Sequence, residues 1–486
     1  MKRIEYKYIV ALLAVFAIFM ELLDSTVVNV AIPTLQRDFN VGTASTIQWV
    51  ITGYLLSLAV FIPISGWAGD RFGTKRVFMF ALSVFSAASL LCALAWNIES
   101  LIAFRILQGV GGGMLSPVAF STLWRAFPPE ERSKAAGIMV VPAAVAPASG
   151  PIIGGLLLKY LSWHWIFIVN VPIGITALVI TFFYLKEHTE PDPGRFDPYG
   201  FALSATGLAS LLYALSQAGN NGFSDPAVLA FGIAGIALIA TFVIVELRTK
   251  EPMLDVRIFA NALFRACNLA WLVTMFAFGS MIFLLTLELQ QARGLSALEA
   301  GLVVFTMAIG VMFIAQPASR IYRVVGPQRM IALGLAVSAA TYFALSQVDL
   351  GTSEWTIRGI MFIRGLGFGL VLVPLQAATY ATVTPAQTGR ATAVYNATSQ
   401  FASSLGVAVA ASLLTSRLAY HNFDQRNPAT YPRALDAFQD SFLVLAIVST
   451  IGVAVAILIS DRAAAPTMNV RSIPVVADET ELSIGS

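Results

Sequence analysis

Two carboxylates stand in the first apolar stretch of the chain, where charge is costly. Asp24 lies past the midpoint of the stretch 9–31, and Glu21, three residues earlier, shares its helix face. A charged side chain at membrane depth costs at least about 2.5–3.5 kcal/mol, and such residues mark ion, proton or substrate pathways. The alternative is a carboxylate that only fixes helix packing. We expect Asp24 to exchange protons or substrate, and Glu21 to be either a second such carboxylate or a packing or gate residue.

The composition places these carboxylates in a membrane protein. The 486 residues are 57% hydrophobic and 12% charged, whereas soluble domains carry about 25% charged residues. Cys92 and Cys267 lie in separate apolar stretches, so we expect no disulfide framework and no metal site. The sequence shows no nucleophile–base constellation and no phosphate-binding glycine loop. We therefore expect neither a membrane enzyme nor an ATP-driven transporter.

Fourteen apolar stretches are long enough to cross a bilayer. They are 9–31, 45–66, 77–96, 101–124, 134–158, 164–185, 198–216, 227–246, 265–289, 298–319, 328–347, 356–380, 390–415 and 438–460. Of the 30 Lys and Arg residues, 21 fall on the side that carries the N-terminus and six on the other. Because basic residues concentrate in cytoplasmic loops, both termini are expected in the cytoplasm. The expected fold class is an all-α polytopic membrane protein.

A faint internal repeat divides the chain. The segment Arg105–Pro117 in span four resembles Arg364–Pro374 in span twelve, because each has an arginine, a glycine cluster and a proline. Parallel six-helix repeats around a central site are a known transporter design. The predicted divisions are an N-terminal six-helix bundle (1–190), two inserted helices with linkers (191–262), a C-terminal six-helix bundle (263–460) and a disordered cytoplasmic tail (461–486).

The loop between spans two and three predicts a conformational gate. Asp70 stands there between glycines, where it could accept hydrogen bonds from a helix N-terminus or from an arginine in one conformation and lose them in another. An ordinary positive-inside loop would explain Lys75 and Arg76, but not this aspartate. The predicted gate residues are Gly66, Gly69, Asp70, Arg71, Gly73, Lys75 and Arg76.

Span five combines prolines with closely spaced small residues. Pro142 and Pro147 are expected to bend the helix. The motif formed by Gly150, Pro151, Gly154 and Gly155 lets another helix backbone approach closely. The alternatives are a simple packing face and a bent helix against which a neighbour can rock.

Two further residues are candidates for substrate contact. Glu288, near the outer end of span nine, either contacts a cationic substrate or reaches the membrane interface, which is the preferred interpretation. Trp49, near the outer start of span two, could line an aromatic pocket, because aromatic faces attract organic cations. Aromatic residues are also common at membrane interfaces in any membrane protein.

Four of these segments, in order and in the matching spans, carry a family resemblance. The chain resembles the major facilitator superfamily, and specifically its fourteen-span drug:proton antiporter branch, the EmrB/QacA-like exporters. The matching segments are Leu23–Pro33, similar to the branch's first-helix signature, Gly66–Arg76, similar to the superfamily's cytoplasmic loop, Arg105–Gly113, similar to the fourth-helix arginine motif, and Gly150–Gly155, similar to the antiporter motif of exporters.

The resemblance implies a fold and an activity. The fold is the major facilitator fold of two six-helix bundles, here with two additional helices. The activity is proton-coupled export of drugs or other lipophilic, often cationic, small molecules by alternating access. By resemblance, Arg105 pairs with or relays to the carboxylate site, and Asp24 is its best partner from a neighbouring helix. Proton and drug would then compete at Asp24.

The same resemblance sets the expected partners and location. We expect a functional monomer in the bacterial cytoplasmic membrane, with a small-molecule substrate, protons and the lipid bilayer as partners, the proton gradient as energy source, and no cofactor, metal or nucleic acid. A periplasmic adaptor is left open. The main alternative function is export of one endogenous metabolite, antibiotic or lipid. A channel is disfavoured by the combination of Asp24, Arg105 and the antiporter motif.

Overall fold

The computed structural model describes residues 5–40, 44–190, 195–249, 256–384, 387–421 and 431–468, and most of them are helical. The helices are α1 (Tyr6–Asp38), α2 (Ala44–Phe72), α3 (Thr74–Ala93), α4 (Ile98–Ala126), α5 (Arg132–Tyr160), α6 (His164–Ile168), α7 (Asn170–Tyr184), α8 (Pro198–Asn221), α9 (Pro226–Arg248), α10 (Ala262–Leu287), α11 (Ala297–Val325), α12 (Pro327–Leu345), α13 (Glu354–Thr379), α14 (Thr388–Tyr420), α15 (Tyr431–Ala456) and α16 (Asp461–Ala464). A π-helical turn, Glu288–Ala292, extends α10.

The long helices are membrane spans. In the described part of the chain, thirteen segments are long and apolar enough to cross a bilayer, with α6 and α7 counted as one. Helix α5, which bends by 44° between Pro147 and Ile152, makes a fourteenth. The prediction of an all-α polytopic fold is confirmed. Several helices run beyond the apolar stretches of the sequence. Helix α1, for example, continues from Ala31 to Asp38.

Local sequence signals determine where several helices begin. Helix α4 starts with a capping box, in which the Asn97 side chain accepts from the Ser100 N–H and the Ser100 side chain accepts from the Asn97 N–H. Ser296 and Glu299 form the same arrangement at the start of α11. Each box satisfies backbone donors that the first helical turn leaves without partners. These caps define where α4 and α11 begin.

The helices form two halves with the same internal pattern, α1–α7 and α10–α15. In each half the second span packs on the fourth, the third on the fourth and the first on the fifth. Between the halves, the second span of each packs on the fifth span of the other, which pairs α2 with α14 and α11 with α5. This exchange is what a pseudo-two-fold relation between six-span repeats produces.

The two inserted helices lie against the junction of the halves. Helix α8 packs on α2 from one half and on α14 from the other, whereas α9 packs mainly on α8. Only 17% of the α9 span is buried within the protein, so most of its apolar surface faces the bilayer. Of the two inserted helices, α8 is therefore the one that packs on both halves.

The start of the C-terminal tail differs from the expected disorder. Asp461–Ala464 form a helical turn, and Asp461 Oδ1 accepts a hydrogen bond of 2.9 Å from the backbone N–H of Gln328 at the start of α12. Thr467 and Tyr322 are hydrogen bonded through their hydroxyl groups at 2.5 Å. The expectation of disorder is wrong for residues 461–468, because these polar groups cap and contact the bundle. The remainder, 469–486, lies outside the described residues.

We call one end of the bundle the basic end, after its excess of Lys and Arg. It carries the start of α1, the junction of α2 and α3 at Gly73, and the start of α5.

Candidate functional site

Asp24 lies at the centre of a buried polar cluster in the first half. Its side chain is fully buried on α1, and Oδ2 accepts a hydrogen bond of 2.5 Å from Arg105 Nη1 on α4. Its Oδ1 accepts from Gln108 Nε2 and from Asn170 Nδ2, both at 2.9 Å. A buried carboxylate is tolerated only when it is paired and hydrogen bonded. Asp24 meets both conditions with donors from α4 and α7.

Arg105 is held from three directions. Its Nε donates to the Val50 carbonyl of α2 at 3.1 Å, and its guanidinium lies 4.1 Å from the centre of the Tyr54 ring. Helix α4 comes this close to α2 because Gly109 has no side chain, and a Cβ there would lie 2.6 Å from the Tyr54 carbonyl oxygen. Removing either partner of such a buried pair leaves an uncompensated charge.

Two residues of this cluster, Gln108 and Asn170, were not predicted from the sequence. Gln108 accepts from Arg105 Nη1 at 2.6 Å and donates to Ser89 Oγ at 2.7 Å, so it joins α3 and α4 to Asp24. One signal was available, because Gln108 follows Arg105 by three residues and so shares its helix face. Asn170 could have been noticed only as an amide within an apolar span.

Glu21 lies beside the cluster in a different environment. Its side chain is half-buried, and Ser116 on α4 donates its hydroxyl to Glu21 Oε2. Among the described residues, Glu21 forms no ion pair. Protonation of Asp24 would remove its ion pair with Arg105, whereas protonation of Glu21 would remove no ion pair. The two carboxylates therefore lie about one helical turn apart in different surroundings, one ion paired and the other bound to a neutral hydroxyl.

The glycines of span five bring α5 onto α1 next to Asp24. A Cβ at Gly150 would lie 2.2 Å from Thr26 Oγ1, and a Cβ at Gly154 would lie 3.1 Å from Val27 Cγ2. Gly155 meets nothing within 4 Å. Pro151 lies in the helix, but its side chain is outside the described part of the structure. The close contact of the two helices thus depends on Gly150 and Gly154, and it lies directly after Asp24 in the chain.

The segment Gly66–Arg76, predicted as a loop, is helical on both sides of Gly73, because residues 66–72 end α2 and residues 74–76 begin α3. It brings Asp70 against an arginine and the start of α14. Asp70 Oδ1 accepts from Arg125 Nη2 of α4 at 2.8 Å. A Cβ at Gly389, in the first turn of α14, would lie 3.2 Å from both Asp70 carboxylate oxygens. The carboxylate is thus placed where the positive end of the α14 dipole attracts it. Asp70 links the first half to the second at the basic end.

Other residues of the predicted gate contact Glu187, in the segment that follows α7. Gly73 has a φ of 97°, a conformation that favours glycine, and a Cβ there would lie 2.3 Å from Glu187 Oε1. Glu187 accepts from the Lys75 N–H at 2.9 Å and lies 3.6 Å from Arg76 Nε. Gly69 is buried and Arg71 is exposed.

Several contacts join the two halves at the basic end. A Cβ at Gly66 would lie 2.9 Å from the Gly389 carbonyl oxygen, so α2 and α14 touch through their backbones. Arg132 of α5 donates to the Tyr380 carbonyl that follows α13, and the rings of Trp124 and Tyr380 stack at 5.1 Å. These contacts join α2, α4 and α5 of the first half to the second half at the basic end.

Glu288 and Trp49, the two candidates for substrate contact, have their partners outside the Asp24 cluster. Glu288 is 1% exposed and forms an ion pair of 3.1 Å with Arg293 Nε, an arrangement that neither interpretation of the sequence anticipated. Trp49 is 38% exposed and stacks on Tyr213 of α8 at 6.0 Å. In this conformation Trp49 helps to seat the insert on α2.

Two six-span halves, with a buried ion pair inside the first of them, are the architecture of a polytopic membrane transporter. The chain belongs to the Major Facilitator Superfamily, whose family model matches residues 14–407. It is therefore a transporter rather than an enzyme, embedded in a membrane and acting on a small molecule.

Similar proteins agree with this assignment. A protein named multidrug resistance protein B homolog of Mycobacterium tuberculosis (strain ATCC 25618 / H37Rv) is 36% identical over 406 residues, 82% of this chain and 75% of that protein. The uncharacterized MFS-type transporter YhcA of Bacillus subtilis (strain 168) is 35% identical over 427 residues, 87% of this chain and 80% of that protein. The crystal structure of the human organic anion transporter MFSD10 (TETRAN) superposes with a TM-score of 0.65, covering 93% of this chain and 100% of that one, at 14% identity. At that identity, the last comparison supports the fold alone.

Proposed function

We propose that this protein is a proton-coupled antiporter of the fourteen-span, EmrB/QacA-like branch, which exports drugs or other lipophilic, often cationic, small molecules. It works as a monomer in the bacterial cytoplasmic membrane, and the proton gradient supplies the energy. The basic end faces the cytoplasm, because Lys and Arg concentrate in cytoplasmic loops. Relatives named as multidrug resistance proteins support drug export. The observation that carries the proposal is the buried ion pair of Asp24 and Arg105.

The ion pair supplies the coupling. When a proton binds Asp24, the carboxylate loses its charge, and Arg105 is left with neutral partners, which include the Val50 carbonyl, the Gln108 oxygen and the faces of the Tyr54 and Phe167 rings. The network must then rearrange, because a buried cation without a counter-charge is costly. A cationic drug near this site competes with the proton for the same negative charge. Proton entry from the outer side therefore releases the drug.

Glu21 contributes a second negative charge for cationic molecules. It is half-buried and its contact is with the neutral Ser116 hydroxyl, so it can accept a proton or a cation without losing an ion pair. Asp70 and the backbone contact of Gly66 with Gly389 act at a different point of the cycle. They stabilise the conformation closed at the basic end and must separate before a drug enters from the cytoplasm.

Transport in proteoliposomes tests the coupling. Purified wild type, Asp24→Asn and Glu99→Gln are reconstituted with an internal pH dye, and proton movement is followed when a lipophilic cation is added. Glu99 is an exposed carboxylate in the first turn of α4, the helix that carries Arg105, and it serves as the matched control. We expect drug-driven proton movement in wild type and Glu99→Gln and none in Asp24→Asn. Coupling that persists in Asp24→Asn would refute the assignment of Asp24.

A dedicated exporter of one endogenous metabolite, antibiotic or lipid is the alternative, because the same ion pair would drive it. An accumulation screen in an efflux-deficient host separates the two functions. Lower accumulation of many unrelated cations, lost in Asp24→Asn, supports multidrug export. No effect on any drug supports the dedicated exporter.

A further inference from the structure

Arg364 in the second half is the counterpart of Arg105, because it opens the matching segment Arg364–Pro374 on the fourth span of its half. Its side chain is 1% exposed, as is that of Arg105. The two arginines are therefore equally buried in equivalent helices. Their partners are different.

The contacts of Arg364 are to neutral groups. Its Nη2 donates to the Tyr342 hydroxyl at 2.8 Å, and that hydroxyl donates to the Ala277 carbonyl at 3.1 Å. The guanidinium lies 5.0 Å from the centre of the Tyr342 ring and 5.4 Å from that of Phe368. Its Nε and Nη1 are buried and, within the described part of the chain, have no hydrogen-bond partner. Two of its three nitrogens therefore present free donors inside the bundle.

The second half does not neutralise this charge in the described structure. Glu288 is the buried carboxylate of that half, and it is already bound to Arg293 at 3.1 Å. Arg364 forms no ion pair among the described residues, whereas Arg105 has Asp24. A buried cation with orphaned donors is destabilising unless an anion compensates it. The ring faces of Tyr342 and Phe368 offset only part of that cost, because a cation–π contact is weaker than a charge-assisted hydrogen bond.

We propose that Arg364, together with Tyr342, binds a small monovalent anionic group that the described residues do not provide, such as a carboxylate or a halide. Guanidinium groups bind such anions strongly because the hydrogen bonds are charge-assisted. An anion accepts from Nε or Nη1, and Tyr342 orients the guanidinium through Nη2. The two halves then differ in kind, with a carboxylate for cations in the first half and a cation for anions in the second.

The anion has two possible sources, an inorganic ion or an acidic group of the exported molecule. The second source rests on the proposed function and extends its substrates from lipophilic cations to zwitterions and organic anions. The binding of the anion to Arg364 does not rest on it. Binding is an equilibrium property that requires no proton gradient, so Asp24→Asn should bind the anion even where export is abolished.

Thermal unfolding of the full-length protein in detergent tests the proposal, with sodium chloride and sodium benzoate as separate probes. Binding to the folded state raises the unfolding temperature in a saturable way. Wild type is compared with Arg364→Gln and Arg364→Lys, in the same salts, so that general salt effects cancel. Arg358→Gln is the matched control, because Arg358 lies on the same helix and is ion paired with Glu354 at 3.3 Å near its start.

We expect saturable stabilisation by at least one anion in wild type and Arg358→Gln, and an apparent affinity weaker by about tenfold or more in Arg364→Gln. Arg364→Lys keeps the charge and should bind with intermediate affinity, and it replaces Arg364→Gln as the readout if that variant does not fold. Each anion is titrated alone. Stabilisation by benzoate that is lost in Arg364→Gln shows that the site accepts an organic carboxylate, whereas stabilisation by chloride alone that is lost in the same variant shows that the occupant is the inorganic ion. Equal responses of wild type and both Arg364 variants, or no response of wild type to either anion, would overturn the proposal.

Discussion

The contact of α5 with α1 beside Asp24 leads to a prediction with a worked magnitude, for Gly150→Ala. The new methyl group would lie 2.2 Å from Thr26 Oγ1, 2.8 Å from Thr26 Cβ and 3.1 Å from the Val27 nitrogen. The last two atoms cannot move without moving α1, so the overpacking costs about 1–3 kcal/mol. Alanine is better than glycine inside a helix by about 1 kcal/mol. The free energy of unfolding should therefore fall by about 0–2 kcal/mol.

Gly155→Ala is the matched control from the same motif. It gains the same helix propensity, but its methyl group meets nothing within 4 Å. The two variants should therefore differ in unfolding free energy by about 1–3 kcal/mol, with Gly155→Ala the more stable. Unfolding of both purified proteins in one detergent measures this difference. Export in proteoliposomes should be slower for Gly150→Ala and unchanged for Gly155→Ala, because only the first alters the packing next to Asp24.

A second change identifies the cause. In Gly150→Ala with Thr26→Ala, the closest clash, with the Thr26 hydroxyl, is gone, whereas the one with the Thr26 Cβ remains. Part of the lost stability and export should return. The packing argument would be refuted by equal stability of Gly150→Ala and Gly155→Ala, or by a double variant that is no more stable than Gly150→Ala.

Two further predictions concern the ion pair and the contacts at the basic end. Asp24→Asn and Arg105→Met should each lower the free energy of unfolding by about 3–5 kcal/mol, because each single change leaves a buried partner uncompensated. The double variant should lose clearly less than the sum of the two, and unfolding of wild type, both single variants and the double variant measures this. Additive losses would contradict the prediction. Gly66→Val should favour conformations open at the basic end, because its Cβ would lie 2.9 Å from the Gly389 oxygen. A cysteine introduced at the buried Ser133 should then be alkylated faster than in the protein that keeps Gly66, and an unchanged rate would contradict the prediction.

The sequence was sufficient for the long helices and for the main buried charge. Apolar stretches of bilayer length set the spans, and the cost of a charge at that depth singled out Asp24. It was not sufficient for Gln108 and Asn170, which bind Asp24 at 2.9 Å. Amides carry no charge, so their burial is cheaper and gives a weaker signal. Which amide meets Asp24 depends on how α4 and α7 pack on α1, and no local pattern encodes that.

The environment of Glu288 was hidden for a similar reason. Its partner Arg293 is only five residues away, but the pair forms because a π-helical turn at Glu288–Ala292 ends the span. Arg293 is held in addition by the carbonyls of Asp349 and Thr352, in the connection between α12 and α13. These contacts join segments far apart in the chain. Position along the span indicated an interface, whereas the three-dimensional contacts bury the carboxylate.

Helix α5 connects the ion-pair site to the other half of the protein. At one end, Gly154 lets α5 contact Val27 of α1, directly after Asp24. At the other end, a Cβ at Gly137 would lie 3.3 Å from the Ala315 carbonyl oxygen of α11, which belongs to the second half. The 44° bend lies between these two contacts. Under the proposed function, a change in the packing of α1 after protonation of Asp24 would reach the interface of the halves through this one helix.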